Sequence, residues 1–227
     1  MIQKKGLWLF FVIFFISCID AKTTISLKDI DASCDHPKNF NQQQLQVLIQ
    51  SYEFGKTFGF EWLLPAIAWQ ESCAGIYQIN FQDPSAGVFH ALIPSVIKQY
   101  STLRDTQLNR NRIGQFLIQN FDFAKKVARN EILFWNKKYK GDLEKIIKSY
   151  NKGTKWQSNK QSQTLANRYH KQIIEKINIL KEFFKDLNNK NITPTNKKKK
   201  KHATEIHSID KIQQTQKQEN FILLQER

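Results

Sequence analysis

Helical periodicity is the feature that most limits the folds open to this chain. Apolar residues recur at intervals of three and four positions in successive segments, which is the pattern of amphipathic helices with one buried side. Glycine, proline and small polar residues separate these segments, and no repeat period links them. We predict a mainly α-helical domain of about seven helices with little or no β structure. The predicted helices are a segment around Glu71 and residues 43–58, 87–100, 111–119, 122–139, 142–150 and 163–187.

Two segments depart from a regular helical pattern. Residues 73–84 lack helical period and contain Gly75, Asp83 and Pro84, so we predict an irregular or short extended segment there. In the segment 87–100 we expect the helix to break or kink at Pro94.

Glu71 is a carboxylate at a position of the helical pattern where an apolar residue is expected. Leu64, Ile67, Ala68 and Glu71 fall at i, i+3, i+4 and i+7, the spacing of a buried stripe. Burial of a carboxylate disfavours its charged form, and a carboxyl that stays protonated near neutral pH can act as a general acid. The alternative is that Glu71 ends its helix and turns out to water, with Ser72 beginning a loop.

The first 21 residues have the layout of a secretory signal peptide. Two lysines precede an apolar run that is too short for a membrane span, and small residues follow it. We therefore expect export to the periplasm of a bacterium. Processing has two interpretations: a lipobox that makes Cys18 the lipidated first residue, or cleavage after Ala21.

Under either interpretation the mature domain, residues 22–187, retains Cys34 and Cys73. Two cysteines in an oxidising compartment suggest a disulfide, and two unpaired thiols are the alternative. Neither cysteine has a second ligand at zinc spacing, so we expect no metal and no cofactor.

The formal net charge of +15 favours an anionic partner or surface. No module with aromatic residues interleaved among basic ones is recognisable, so we do not expect nucleic acid. Residues 188–227 are rich in Asn, Lys, Gln and Thr, a composition typical of disorder. Five lysines from Lys197 to Lys201 could attract an anionic membrane or wall polymer, or could simply be solvated.

Four short motifs follow one another along residues 60–180, and their order resembles the catalytic domain of the soluble lytic transglycosylase (SLT) family. That family shares the lysozyme-like fold. Each motif alone is weak, and the order and spacing carry the resemblance. The motifs are Glu71-Ser72 at a helix end, Ser85-x-Gly87, Tyr150-Asn151-x-Gly153, and Tyr169 in the last helix.

The resemblance implies a peptidoglycan lytic transglycosylase with one catalytic carboxyl, Glu71. It would protonate the oxygen of the MurNAc–GlcNAc β-1,4 bond. As the carboxylate it would then deprotonate the C6 hydroxyl of the same sugar, which closes onto C1 to give a 1,6-anhydro product without water. The resemblance also implies substrate-binding roles for Ser72, Ser85, Gly87, Tyr150, Asn151 and Tyr169.

For several of these residues a purely structural role is the alternative. Tyr150 and Tyr169 could pack in the core, and Asn151 could be a left-handed helix cap. His90 stands where the family commonly has Gln; it could titrate near the site or be a hydrogen-bonded core histidine. Trp156, in a polar loop, is a candidate sugar contact.

Most glycosidases use a second carboxylate. Glu61 would lie about 15 Å from Glu71 along the same helix, which excludes it. Asp83 in a loop is a weak candidate. The alternative functions are a muramidase of the goose-lysozyme type and a cell-wall-binding or assembly protein without activity.

Overall fold

A computed structural model describes residues 32–190, with side chains to residue 187. The predicted signal segment with Cys18 and the lysines from Lys197 to Lys201 lie outside the described residues. The described part of the chain is mainly helical, as predicted, with seven α-helices and little sheet. The helices are α1 Gln42–Lys56, α2 Leu63–Ser72, α3 Ile93–Tyr100, α4 Gln107–Gln119, α5 Phe121–Tyr139, α6 Leu143–Lys152 and α7 Lys160–Lys190.

Polar side chains fix where several helices begin. Asn41 and Gln44 form a reciprocal capping box at the start of α1. The side chain of Asn120 accepts from the backbone N–H of Phe123 and separates α5 from α4, which ends one residue earlier. Asp142 caps α6 through the backbone N–H of Lys145, as predicted.

The prediction of one helix over residues 87–100 is wrong. Gly87 and His90 have positive φ angles of 80° and 44°, which a right-handed helix does not accommodate. The helix starts only at Ile93, and Pro94 lies in its first turn. Proline is favoured there because the first turn leaves its N–H groups unbonded in any case. Pro94 therefore starts a helix and does not kink one.

Residues 79–92 form a small antiparallel sheet beside the helices. Its strands are β1 Ile79–Asn80, β2 Ser85–Ala86 and β3 Ala91–Leu92, in the order β1-β2-β3. Ile79 pairs with Ala86, and Ala86 pairs with Ala91. The extended alternative that we gave for residues 73–84 is thus correct for β1. β2 lies between the two predicted segments, and β3 falls where we predicted helix.

Helix α2 is the centre of the core. Its residues from Leu63 to Trp69 are all buried, so the helix is covered on every side, mainly by α1 and α7. Such a helix has no single apolar stripe. The stripe that we inferred through Glu71 therefore does not explain the position of that residue. Glu61 precedes α2, contrary to the prediction that it shares the helix with Glu71.

None of the helices within residues 32–190 is long and apolar enough to span a membrane.

Candidate active site

Glu71 lies where the buried helix α2 ends and its side chain reaches the surface. The side chain is 16% exposed, so it is neither sealed in the core nor free in water. Cys73, Ala74 and Gly75 follow with φ angles of 55°, 55° and 93°. Three successive left-handed residues turn the chain away sharply, and the first two are unusual for residues with a Cβ. The last turn of α2 is thereby held in one position.

Ser72 is buried and acts inside this turn. Its Oγ lies 3.1 Å from the Ala68 carbonyl and 2.7 Å from the Val88 carbonyl, and it accepts from the N–H of Gly75 at 2.9 Å. The hydroxyl therefore joins the end of α2 to the segment after β2. Because it is fully buried and bonded on both sides, the substrate-binding role predicted for Ser72 does not fit.

A disulfide joins Cys34 to Cys73, as predicted, with the two Cα atoms 5.4 Å apart. Trp69 adds a hydrogen bond of 2.8 Å from its Nε1 to the carbonyl oxygen of Cys34. Gln44, on α1, donates to the Cys73 carbonyl at 3.0 Å. The N-terminal segment and α1 therefore clamp the residue that lies two positions after Glu71.

Tyr169, on α7, is the first of two partners of the Glu71 carboxyl. Its hydroxyl donates to Oε1 at 2.5 Å. The ring is buried, which raises the pKa of Tyr169 well above its ordinary value, and the nearby charge of Glu71 raises it further. Tyr169 therefore remains a hydrogen-bond donor throughout the physiological range of pH.

His90 is the second partner. Its Nδ1 lies 3.3 Å from Glu71 Oε2, and its Nε2 lies 2.9 Å from the carbonyl oxygen of Tyr77. The side chain is 10% exposed. His90 is therefore hydrogen-bonded, as in one of the two roles left open by the sequence, and it also lies beside Glu71.

Tyr150, on α6, lines the same region. Its hydroxyl donates to the carbonyl oxygen of Phe89 at 3.0 Å, next to His90. Burial raises the pKa of Tyr150 well above its ordinary value, and the charges of Glu71 and then of Glu131 contribute.

Ser85 and Gly87 support the site from the sheet. Ser85 is buried in β2. A Cβ on Gly87 would lie 2.8 Å from the carbonyl oxygen of Leu117, so only glycine allows α4 to approach so closely. We interpret Gly87 as a packing residue rather than as the predicted substrate contact, and burial leaves Ser85 little surface for a sugar.

Three candidates from the sequence lie elsewhere or take a structural role. Asn151 is helical within α6, and Gly153, with a φ of 57°, ends that helix, so the alternative of a left-handed cap at Asn151 is wrong. Trp156 is buried, with its Nε1 bonded to Ser149 Oγ at 2.8 Å, so it offers no face to a sugar. Asp83 lies exposed in the turn after β1.

Within the described residues, no three acidic, histidine or cysteine side chains are grouped so that they could bind a metal. Two side chains orient the Glu71 carboxyl, an arrangement that suits proton transfer.

Comparisons with known proteins leave the family open. No family model matches the chain, and no solved structure matches it. The chain is 25% identical over 162 residues to an uncharacterized 20.7 kDa protein from the vs-regB intergenic region of Enterobacteria phage T4. That alignment covers 63% of this chain and 82% of the phage protein.

Proposed function

We propose that the protein is a peptidoglycan lytic transglycosylase with a lysozyme-like fold, and that Glu71 is its single acid and base. The observation that carries this proposal is the Glu71 carboxyl, 16% exposed at the end of a buried helix and held by Tyr169 and His90. A general acid must be oriented by its neighbours and still be reached by the leaving group.

Residues of the four motifs come together in the fold, and this supports the resemblance that their order suggested. Glu71 ends α2, Gly87 follows β2, Tyr150 lies on α6 and Tyr169 on α7. Tyr169 contacts Glu71 directly, and Tyr150 bonds to Phe89, which precedes His90. Residues that are distant in the sequence thus surround one carboxyl, as the resemblance to the SLT family implies.

The proposed reaction needs no water and conserves every proton. Glu71 gives its proton to the glycosidic oxygen, and the bond between that oxygen and C1 breaks. The Glu71 carboxylate then takes the proton of the C6 hydroxyl of the same sugar, and the C6 oxygen forms a bond to C1. The products are a 1,6-anhydro end and a free hydroxyl, and Glu71 is protonated again.

The sheet beside Glu71 supplies a surface for the glycan strand. Phe81 is 93% exposed in the turn after β1, and Ile79 on β1 is also exposed. Exposed apolar side chains two positions apart are consistent with a binding surface. Phe81 is four positions after Tyr77, whose carbonyl contacts His90, so the Cα atoms of Phe81 and Tyr77 lie within about 14 Å of each other.

A hydrolytic muramidase is the second candidate, and Glu131 is the observation in its favour. This half-buried carboxyl on α5 accepts from Trp135 Nε1 at 2.5 Å, and burial raises its pKa above the ordinary value. Its charge acts on Tyr150 together with that of Glu71. A hydrolase would use Glu131 as the base for water, whereas the transglycosylase reaction does not require it.

Export to the periplasm, with a lipid anchor at Cys18 as one alternative, belongs to the same proposal. Peptidoglycan lies outside the cytoplasmic membrane, so a protein that cleaves it must cross that membrane. The lysines from Lys197 to Lys201 would add attraction to an anionic membrane or wall surface.

Cleavage of purified sacculi by the Glu71→Gln variant tests the proposal. Gln keeps the shape of the side chain and cannot donate an acidic proton, so the release of soluble glycan should fall at least about a hundredfold. Glu61→Gln is the matched control, since Glu61 precedes α2. Near wild-type release by the Glu71 variant would refute the assignment.

A further inference from the structure

The ring of His90 is fixed between two oxygen acceptors, and this determines how many protons it must carry. Nε2 lies 2.9 Å from the carbonyl oxygen of Tyr77, and Nδ1 lies 3.3 Å from Oε2 of Glu71. With 10% of the side chain exposed, little water is available to bond either nitrogen instead.

The first contact assigns one proton. A peptide carbonyl oxygen only accepts hydrogen bonds, so Nε2 of His90 must donate to Tyr77. In a neutral imidazole the other nitrogen is then a bare acceptor. A bare Nδ1 facing an ionised Glu71 oxygen would bring two lone pairs together, which is repulsive.

The other oxygen of Glu71 is already bonded. Oε1 accepts from the hydroxyl of Tyr169, which burial keeps protonated. The proton that relieves the repulsion therefore lies on the Oε2 side, facing His90.

We propose that Glu71 and His90 share one proton between Oε2 and Nδ1, which makes His90 the positioning residue of the catalytic acid. The pair exists either as a carboxyl that donates to a neutral ring or as a carboxylate beside an imidazolium. The role of the pair in catalysis rests on the proposed function. The number of protons that the pair carries is a property of the protein without substrate.

The pair explains how one carboxyl serves in both halves of the reaction. When Oε2 gives the proton to the glycosidic oxygen, Nε2–H stays on the Tyr77 carbonyl and a bare Nδ1 is left facing the carboxylate. This contact raises the free energy of the Glu71 carboxylate and makes it a stronger base for the C6 hydroxyl. Return of a proton from that hydroxyl restores the pair.

The other ionisable groups around Glu71 come from three helices. They are Tyr169 on α7 and Tyr150 on α6, both of which stay protonated, and Glu131 on α5, whose charge acts on Tyr150. Two of these groups are neutral donors at working pH, so they do not replace the proton between His90 and Glu71.

Nuclear magnetic resonance on the full chain tests the proton count without any substrate. The ¹⁵N signals of the His90 ring and the ¹³C signal of the Glu71 carboxyl are measured at neutral pH, and spectra of His90→Gln and Glu71→Gln assign them. We expect a proton on Nε2 and one more on either Nδ1 or the carboxyl. A bare Nδ1 beside an ionised carboxylate, or a bare Nε2, would overturn the inference.

The pH–rate profile tests the role in catalysis. His90→Gln and His90→Asn keep an amide donor without a titrating ring, and Asn suits the positive φ of 44°. The alkaline limb of the profile should move to lower pH, because the ring that shares the proton of the acid is gone. His170→Gln is the matched control and should leave the limb in place, because the charged groups that act on His170 are Glu144, Lys148 and Asp142.

The two measurements distinguish a failure of the His90 proposal from a failure of the proposed function. If both His90 variants fold, as judged by circular dichroism, and retain the wild-type alkaline limb, His90 does not hold the acid's proton. If the wild-type protein cleaves no glycan while the spectra show two protons on the pair, the proposed function fails and the proton count stands.

Discussion

The hydroxyl of Tyr169 donates a hydrogen bond of 2.5 Å to the carboxyl of Glu71, although 98 positions of the chain separate the two residues. Helix α7 therefore completes a site that α2 begins. Neither helix alone could orient the carboxyl, because one contributes the acid and the other its donor.

Removal of that donor gives the first prediction. Tyr169→Phe should lower the rate of glycan release at least about tenfold, since a hydrogen bond to a charged group contributes about 1.5–3 kcal/mol. The ring stays, so circular dichroism should be unchanged. Tyr100→Phe is the matched control, because the Tyr100 hydroxyl bonds to Asn130 on the protein surface. Equal rates for the two variants would mean that Tyr169 does not orient the acid.

The second prediction concerns alkaline pH. The pKa values of Tyr150 and Tyr169 are raised well above the ordinary value of 10.0. When absorbance at 295 nm is followed as the pH is raised, two of the chain's six tyrosines should therefore ionise later than the rest. Tyr150→Phe and Tyr169→Phe should each remove one late transition.

The same shifts have a consequence for stability. A folded-state pKa above the unfolded value stabilises the protein below the unfolded pKa, and this contribution is lost as pH rises through the folded value. The free energy of unfolding should thus fall above about pH 10, and less so in either phenylalanine variant. Simultaneous ionisation of all six tyrosines near pH 10 would contradict both statements.

The disulfide is the subject of the third prediction. Cys34 and Cys73 are 39 positions apart, so replacing both by Ser should lower the free energy of unfolding by about 4 kcal/mol in the chain-entropy model. Denaturant unfolding measures this, and wild-type protein treated with a reductant should unfold like the variant. An unchanged midpoint after complete reduction would show that the bridge does not constrain this segment.

The fourth prediction tests the glycan surface. Phe81→Ser should raise KM for glycan strands about fivefold with little change in kcat, since an aromatic contact of this kind contributes about 1 kcal/mol. Phe134→Ser is the matched control: Phe134 is 58% exposed on α5, outside the sheet. Equal effects of both substitutions would place the glycan elsewhere.

Periodicity predicted most of the helices because each of them buries one side that the sequence marks; α2 is the exception, since it is buried on all sides. It failed at residues 87–92, where the backbone is set by contacts across the fold. Gly87 is required by the approach of α4, and the His90 ring is held by the carbonyl of Tyr77. No local pattern in the sequence encodes either contact.

Glu71 was found in the sequence for a reason that the structure corrects. The stripe i, i+3, i+4, i+7 suggested a carboxyl facing the core, yet α2 is buried on all sides and Glu71 emerges at its end. The sequence did not show which side chains contact the Glu71 carboxyl, because Tyr169 and His90 belong to segments that are distant from it in the chain. The positive φ of 44° at His90 is visible only in the folded chain.

The chemical identity of the released ends tests the central claim most directly. Purified sacculi are digested with the wild-type protein, with Glu71→Gln and with Glu131→Gln, and the soluble muropeptides are analysed by mass spectrometry. We predict 1,6-anhydro ends from the wild-type protein and from Glu131→Gln, and almost none from Glu71→Gln. Reducing ends that disappear in Glu131→Gln would instead identify a hydrolase, and no release by the wild-type protein would contradict an enzymatic function.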